Sequence, residues 1–171
     1  MSATKDPRCT AAAEISEVAD DAGTRGIEIV FHVAASPAAL LELLWDVRNF
    51  PRLFPDIKEH HVQPRAADAR PDTLDVAYRV DAVVKEVRYV LRRTVDRGRR
   101  AITWRELSGD LKRVRGGWWV EATDSPDVSR ATYRAFVDIG RFVPTRLVAK
   151  GAKRKAGEMV ARVRRVAEEL G

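Results

Sequence analysis

LeuLeuTrpAspValArgAsnPheProArgLeuPhePro, residues 43–55, starts as an amphipathic helix and runs into two prolines. Proline has no backbone N–H and pushes the residue before it out of the α region, so a helix through Trp45 must break near Asn49. Phe50 and Phe54 stand against the two prolines at that break. The fold follows from what these two rings cover, and that has to be read from the flanking sequence.

Upstream, IleGluIleValPheHisVal (27–33) is β-rich and bounded by Gly26 and by AlaSerPro, which predicts a strand. Ser36 followed by Pro37 predicts a helix start, with serine as N-cap and proline in the first turn. Leu40, Leu41, Leu44 and Trp45 then recur at helical spacing. Downstream of Ile57 the period changes to two. Leu74, Val76, Tyr78 and Val80 alternate with polar or small residues, as do Val87, Tyr89 and Leu91, then Ile102 and Trp104, then Ala131, Tyr133 and Ala135. Alternation of this kind predicts about six antiparallel strands with one face wet, separated by turn chemistry at 65–72, 96–98, 108–110 and 124–127.

Residues 143–170 return to helical spacing. Val148, Ala152, Ala156, Met159, Val163, Val166 and Leu170 fall on one face, with basic residues over most of the remainder. The order is strand, two short helices, strands, one long helix. That is α+β architecture, and the terminal helix is the obvious cover for the apolar face of a twisted antiparallel sheet.

Composition narrows the function classes. The 171 residues suit one domain, and no run approaches the roughly 18 apolar residues of a membrane span. The single cysteine, Cys9, permits neither an internal disulfide nor a cysteine-based metal site, which agrees with a reducing, cytoplasmic setting. Residues 1–26 hold three basic and five acidic side chains, a net of −2, so the remainder of this +6 chain carries +8. With little to bury, this acidic leader is expected to be disordered and dispensable for stability, leaving 27–171 as the folded domain.

The motifs TrpAspValArgAsnPheProArgLeuPhePro (45–55), IleThrTrp (102–104), GlyGlyTrp (116–118), SerArgAlaThrTyr (129–133) and ValPro (143–144) occur in family order. Together they resemble the START-like (SRPBCC) helix-grip superfamily, and within it the bacterial polyketide cyclase/dehydrase and coenzyme Q-binding protein family. The resemblance implies a curved antiparallel sheet wrapped around the long C-terminal helix, with two short helices after the first strand closing one end of a cavity. Phe50 and Phe54 would then form a movable apolar wall at the cavity mouth.

Trp45, Tyr78, Tyr89, Trp104, Trp118 and Tyr133 read as inward-facing, and with Met159 they are the ligand-binding candidates beside the two phenylalanines. Arg93 continues the inward parity of Val87, Tyr89 and Leu91, where it could grip a carboxylate or quinone oxygen, although exposure at a strand end is the simpler reading. His60 and His61 are adjacent and would point to opposite faces, and no HisGluXXHis or carboxylate cluster accompanies them, so no metal or cofactor is expected. Gly116 and Gly117 lack P-loop spacing and suggest a bulge that admits close packing.

Residues 141–171 hold nine arginines and lysines against three glutamates. Among them Lys150, Arg154, Arg162, Arg164 and Arg165 are candidates for peripheral contact with an anionic membrane. The leading expectation is a noncatalytic carrier of a lipid, isoprenoid quinone or polyketide. The alternative is a polyketide aromatase/cyclase using Arg93 and Tyr89, and a third is a ribosome- or RNA-associated factor drawn by charge.

Overall fold

The computed structural model describes residues 5–81, 85–138 and 145–171; the side chains of 145–149 lie outside that description. The chain runs β1 (Glu14–Ala19), β2 (Arg25–Val33), α1 (Pro37–Trp45), α2 (Phe50–Leu53), β3 (Ile57–Val62), β4 (Thr73–Asp81), β5 (Glu86–Asp96), β6 (Ala101–Gly109), β7 (Arg113–Ala122), β8 (Ser129–Asp138) and α3 (Thr145–Leu170). The eight strands form one curved, unclosed antiparallel sheet in the order β1-β2-β8-β7-β6-β5-β4-β3.

Each helix boundary has a local cause. The Ser36 hydroxyl accepts a hydrogen bond from the Ala39 N–H, and Pro37 occupies the first turn of α1. At the other end the carbonyls freed by the break are satisfied by two side chains. Asn49 Nδ2 donates to Leu43 O at 3.0 Å, and the Arg93 guanidinium donates to Leu44 O at 2.8 Å and Trp45 O at 2.9 Å. A cation among C-terminal carbonyls is also where the helix dipole favours it. Asp46 caps the short 3-10 turn Val47–Asn49 by accepting from Arg48 N, and α2 follows at once.

Two apolar clusters make the core. The larger joins α1 leucines, β2, Trp118, Val120 and the Ala156, Met159, Val160, Val163, Val166 and Ala167 stripe of α3. The smaller holds Phe50, Val76, Tyr78, Leu91 and Val114, and both Phe54 and Trp104 touch the two. The helical stripe is therefore wider than the spacing implied, and it stops earlier: Leu170 is 66% exposed. The Val143–Pro144 motif lies outside the described residues, and the Val148 side chain outside the described side chains.

Two expectations need correction. The acidic leader, expected to be disordered, contains a 3-10 turn (Pro7–Cys9) and the edge strand β1, paired with β2 over six residue pairs from Glu14↔Val30 to Ala19↔Arg25. Ala13 and Ile15 pack on the main core, Cys9 is buried, and Lys5–Glu168, Arg8–Asp124 and Arg115–Asp20 ion pairs tie the segment down. Ladder hydrogen bonds, which residue composition does not reveal, replace the apolar content the segment lacks.

Gly116 and Gly117, expected at a bulge, lie in unbroken register, Gly116 opposite Trp104 and Gly117 opposite Thr103. The close packing is nevertheless real. A Cβ at Gly116 would come 2.1 Å from Arg134 O and 2.9 Å from the Trp104 ring, and one at Gly117 would come 2.8 Å from the Trp119 ring. The glycines make room for an indole on each face of the sheet.

Candidate functional site

Between the concave face of the sheet and α3 lies a cavity of about 500 Å³, within the range of sites that enclose a single small molecule. β5 supplies Val87, Tyr89, Leu91 and Arg93 at alternate positions, and its register places Tyr89 opposite Tyr78 and Arg93 opposite Trp104. β7 and β8 add Val114, Trp118, Tyr133 and Ala135, and α3 adds Ala152, Ala156 and Met159. Phe50, Phe54 and Pro55 form the wall across the helix break.

The aromatic rings form two arms. On one side Phe54, Phe50, Tyr78 and Tyr89 follow one another at centroid spacings of 5.3, 6.0 and 5.6 Å. On the other, Trp104 and Trp118 flank Tyr133 at 5.7 and 4.8 Å, and Phe31 stands behind Trp118 at 6.2 Å. Of the residues expected to bind ligand, Phe50, Phe54, Tyr78, Tyr89, Arg93, Trp104, Trp118, Tyr133 and Met159 all line this one cavity. Trp45 does not. Its indole instead lies over the Arg93 guanidinium, 4.9 Å from Cζ to the ring centroid, with Phe50 at 4.8 Å.

Arg93, for which strand-end exposure was the simpler reading, is 3% exposed. The approach of α1, invisible in the alternation of β5, encloses it. Burial pulls its pKa below the ordinary arginine value, and none of the ion pairs among the described residues involves it. The Tyr78, Tyr89 and Tyr133 hydroxyls donate to no other described residue. Desolvation pushes Tyr78 and Tyr133 up to about 12 and raises Tyr89 as well, with Tyr133 and Tyr78 adding to the shift of Tyr89. All three therefore stay protonated near neutrality and present donors to the cavity.

The rim is charged. Asp56, Asp81, Lys85, Asp110, Lys112, Asp138 and Lys155 stand at strand ends, turns and α3. Lys155 was not anticipated as a site residue. Its Nζ meets Asp56 Oδ1 at 2.9 Å and donates to Asp81 O at 2.9 Å, tying α3 to the start of β3 and the end of β4. The sequence signal was its place beside Ala152, Ala156 and Met159 on the helix, one step off the apolar stripe. A second link, Arg52–Glu169, joins α2 to the end of α3.

Of the membrane candidates, Lys150, Arg154 and Arg165 are exposed. Arg162 and Arg164 are not free surface charges. Arg162 reaches Arg52 O at 3.5 Å; Arg164 Nε donates to His32 O at 2.9 Å, and its guanidinium lies 5.8 Å from the Phe31 ring. His60 packs on Phe50 at 5.5 Å while His61 is exposed on the other face, and no group of metal-ligating side chains occurs among the described residues. No helix among them is long and apolar enough to cross a membrane.

Solved structures share this architecture. The chain superposes on the ZhuI aromatase/cyclase from Streptomyces sp. R1128 with a TM-score of 0.70, at 19% identity over 85% of this chain and 94% of that one. A START superfamily protein from Mycobacterium smegmatis gives 0.71 at 18% identity over 85% and 99% of the two chains. The human StarD13 (DLC2) lipid transfer and protein localization domain gives 0.67 at 17% over 91% and 84%. No curated protein matches the chain significantly in sequence. Residues 33–164, from the end of β2 to the last turns of α3, match the family described as polyketide cyclase/dehydrase and lipid transport, and on that match and this helix-grip fold the chain belongs to that START-like family.

Proposed function

We propose that this protein is a noncatalytic carrier or chaperone that holds one hydrophobic small molecule, a lipid, isoprenoid quinone or polyketide, between the sheet and α3. The observation that carries this reading is the cavity itself, walled by aliphatic and aromatic side chains with a few inward-facing donors. Apolar surface removed from water stabilises a complex by about 25 cal/mol per Å², and ordered donors fix the orientation of a ligand oxygen. Arg93 and the tyrosines supply orientation, and the aromatic arms supply contact area. Native mass spectrometry of freshly purified protein tests the reading: one apolar molecule per chain is expected, and less of it in a Met159→Trp variant whose larger side chain fills part of the cavity. A protein that neither retains such a molecule nor takes up an apolar fluorescent dye at a stoichiometry of one would refute it.

One arrangement favours the aromatase/cyclase alternative: Arg93 and Tyr89 line the same wall, four residues apart on β5. An enzyme of that kind confines a poly-ketone so that intramolecular condensation outruns side reactions, with protonated donors polarising the ketone that is attacked. Regioselective cyclisation of a poly-ketone that disappears in Tyr89→Phe would put this reading first. The exposed basic residues of α3, Lys150, Arg154 and Arg165, support peripheral contact with anionic lipid at about 1 kcal/mol per residue. Flotation with anionic vesicles, lost at high salt and in an Arg154→Glu/Arg165→Glu variant, checks that contact.

A further inference from the structure

The rim of the cavity mixes both signs of charge, whereas its interior holds a guanidinium and no described carboxylate. Among the described residues, the lining carboxylates Asp56, Asp81, Asp110 and Asp138 sit at the rim. Six residues along β5 from Val87, about 20 Å at strand rise, Arg93 lies buried beneath the end of α1. A buried guanidinium without a carboxylate is costly, because carbonyl dipoles and ring faces offset its lost hydration without supplying an opposite charge. Arg93 has two carbonyls, Leu44 O and Trp45 O, and the Trp45 and Phe50 rings. Two N–H groups donate to those carbonyls, and a guanidinium carries five.

The other interior polar groups among the described residues are uncharged: the tyrosine hydroxyls, which can donate or accept, and the indole N–H groups. Tyr78, Tyr89 and Tyr133 keep their protons, and an indole N–H is a donor only. With Arg93 as the charged side chain among the described interior residues, the cavity discriminates by charge. Beside Arg93 it favours oxygen acceptors, gains most from an anion, and penalises a cationic head group. We infer that the natural occupant is an elongated apolar molecule bearing one ionised acid, a carboxylate, seated against Arg93 with its apolar body directed along the aromatic arms towards the rim. This assignment rests on the cavity being a ligand site, as proposed above.

The test compares dodecanoate, dodecanol and dodecylammonium, equal in chain and different in head group, by displacement of an apolar dye from the full chain and by calorimetry. Dodecanoate is expected to bind at least tenfold more tightly than dodecanol, with dodecylammonium weakest. Dodecanol equal to or tighter than dodecanoate overturns the acid assignment and leaves the cavity reading standing; binding of none of the three overturns both. Arg93→Met, checked for folding by near-ultraviolet circular dichroism, is expected to bring the carboxylate-to-alcohol ratio close to one, and Arg93→Lys to restore part of it. Should Arg93→Met fail to fold, Arg93→Lys together with the wild-type ratio decides. A full preference retained in a folded Arg93→Met protein would assign recognition of the acid to the rim lysines and refute the role given to Arg93.

Discussion

At the scale of single residues, the tyrosines of the cavity make stability depend on alkali. Tyr78 and Tyr133 ionise at about 12 in the folded chain against an ordinary value of 10. Their contribution is fully present below pH 10, where both states hold the proton, and is lost as pH rises towards 12, because the unfolded chain then releases the proton first. Urea titrations from pH 8 to 11.5 are expected to show the loss beginning near pH 10, on the order of 1–2 kcal/mol per group. Tyr78→Phe/Tyr133→Phe should flatten the decline; a curve unchanged by that substitution would mean the phenols ionise freely. Two glycines give opposite expectations. Gly116→Ala drives a Cβ into Arg134 O and should cost more than about 2 kcal/mol. Gly157 is exposed in α3, and a methyl group there would meet nothing within 4 Å, so Gly157→Ala should raise stability by about 1 kcal/mol. Chemical denaturation of the two variants checks both signs.

At the scale of elements, the wall that closes the cavity is short and held at both ends. Asp56–Lys155 lies on one side of Phe54 and Arg52–Glu169 on the other, and all four side chains are partly exposed, which limits each pair to about 1 kcal/mol or less. Phe50 is 2% exposed and belongs to the smaller core cluster, whereas Phe54 is only half-buried. Phe54→Ala and Lys155→Ala are therefore expected to speed ligand exchange severalfold in stopped-flow dye displacement while shifting the denaturation midpoint little. Phe50→Ala should instead cost about 3–5 kcal/mol. Equal exchange in the wild type and both variants would show that the wall does not open on the exchange path. The helix break itself was legible, since Pro51 and Pro55 act locally, and so was the inward parity of Tyr78, Tyr89, Trp104 and Tyr133. The partner of the break was not. Arg93 lies 48 residues from Trp45, and only the placing of the end of α1 over the sheet turns a strand arginine into the cap of a helix. Lys155 stayed hidden for a similar reason, its role being set by Asp56 and the end of β4.

At the scale of the whole molecule, the leader shows how far composition can mislead. Its apolar residues are few, yet β1 covers the edge of β2, and Arg8 and Lys5 fasten it to the β7–β8 turn and to α3. Deleting residues 1–26 also removes Arg25 and Gly26 from β2 and the partner of Arg115, so the melting temperature is expected to fall by more than about 5 °C. Unchanged melting would show that the ladder contributes nothing in solution. The antiparallel sheet and covering helix were readable because alternation and helical spacing are local patterns. The order of strands was not, since β2 pairs with β8 across the whole intervening chain.

That pairing also bears on how the protein is made. β2 meets its second neighbour only when Ser129–Phe136 arrives, about a hundred residues after Val33 has been polymerised. At 5–20 residues per second the nascent chain waits on the order of 5–20 s with Ile29, Phe31 and Val33 lacking that partner. The hairpins from β3 to β7 can form in sequence during the delay, because each pairs with its predecessor. The completed sheet can appear only after β8 has been synthesised. Folding is thus expected to be slow for a domain of this length, as loop closure over so long a segment must precede the contacts that reward it.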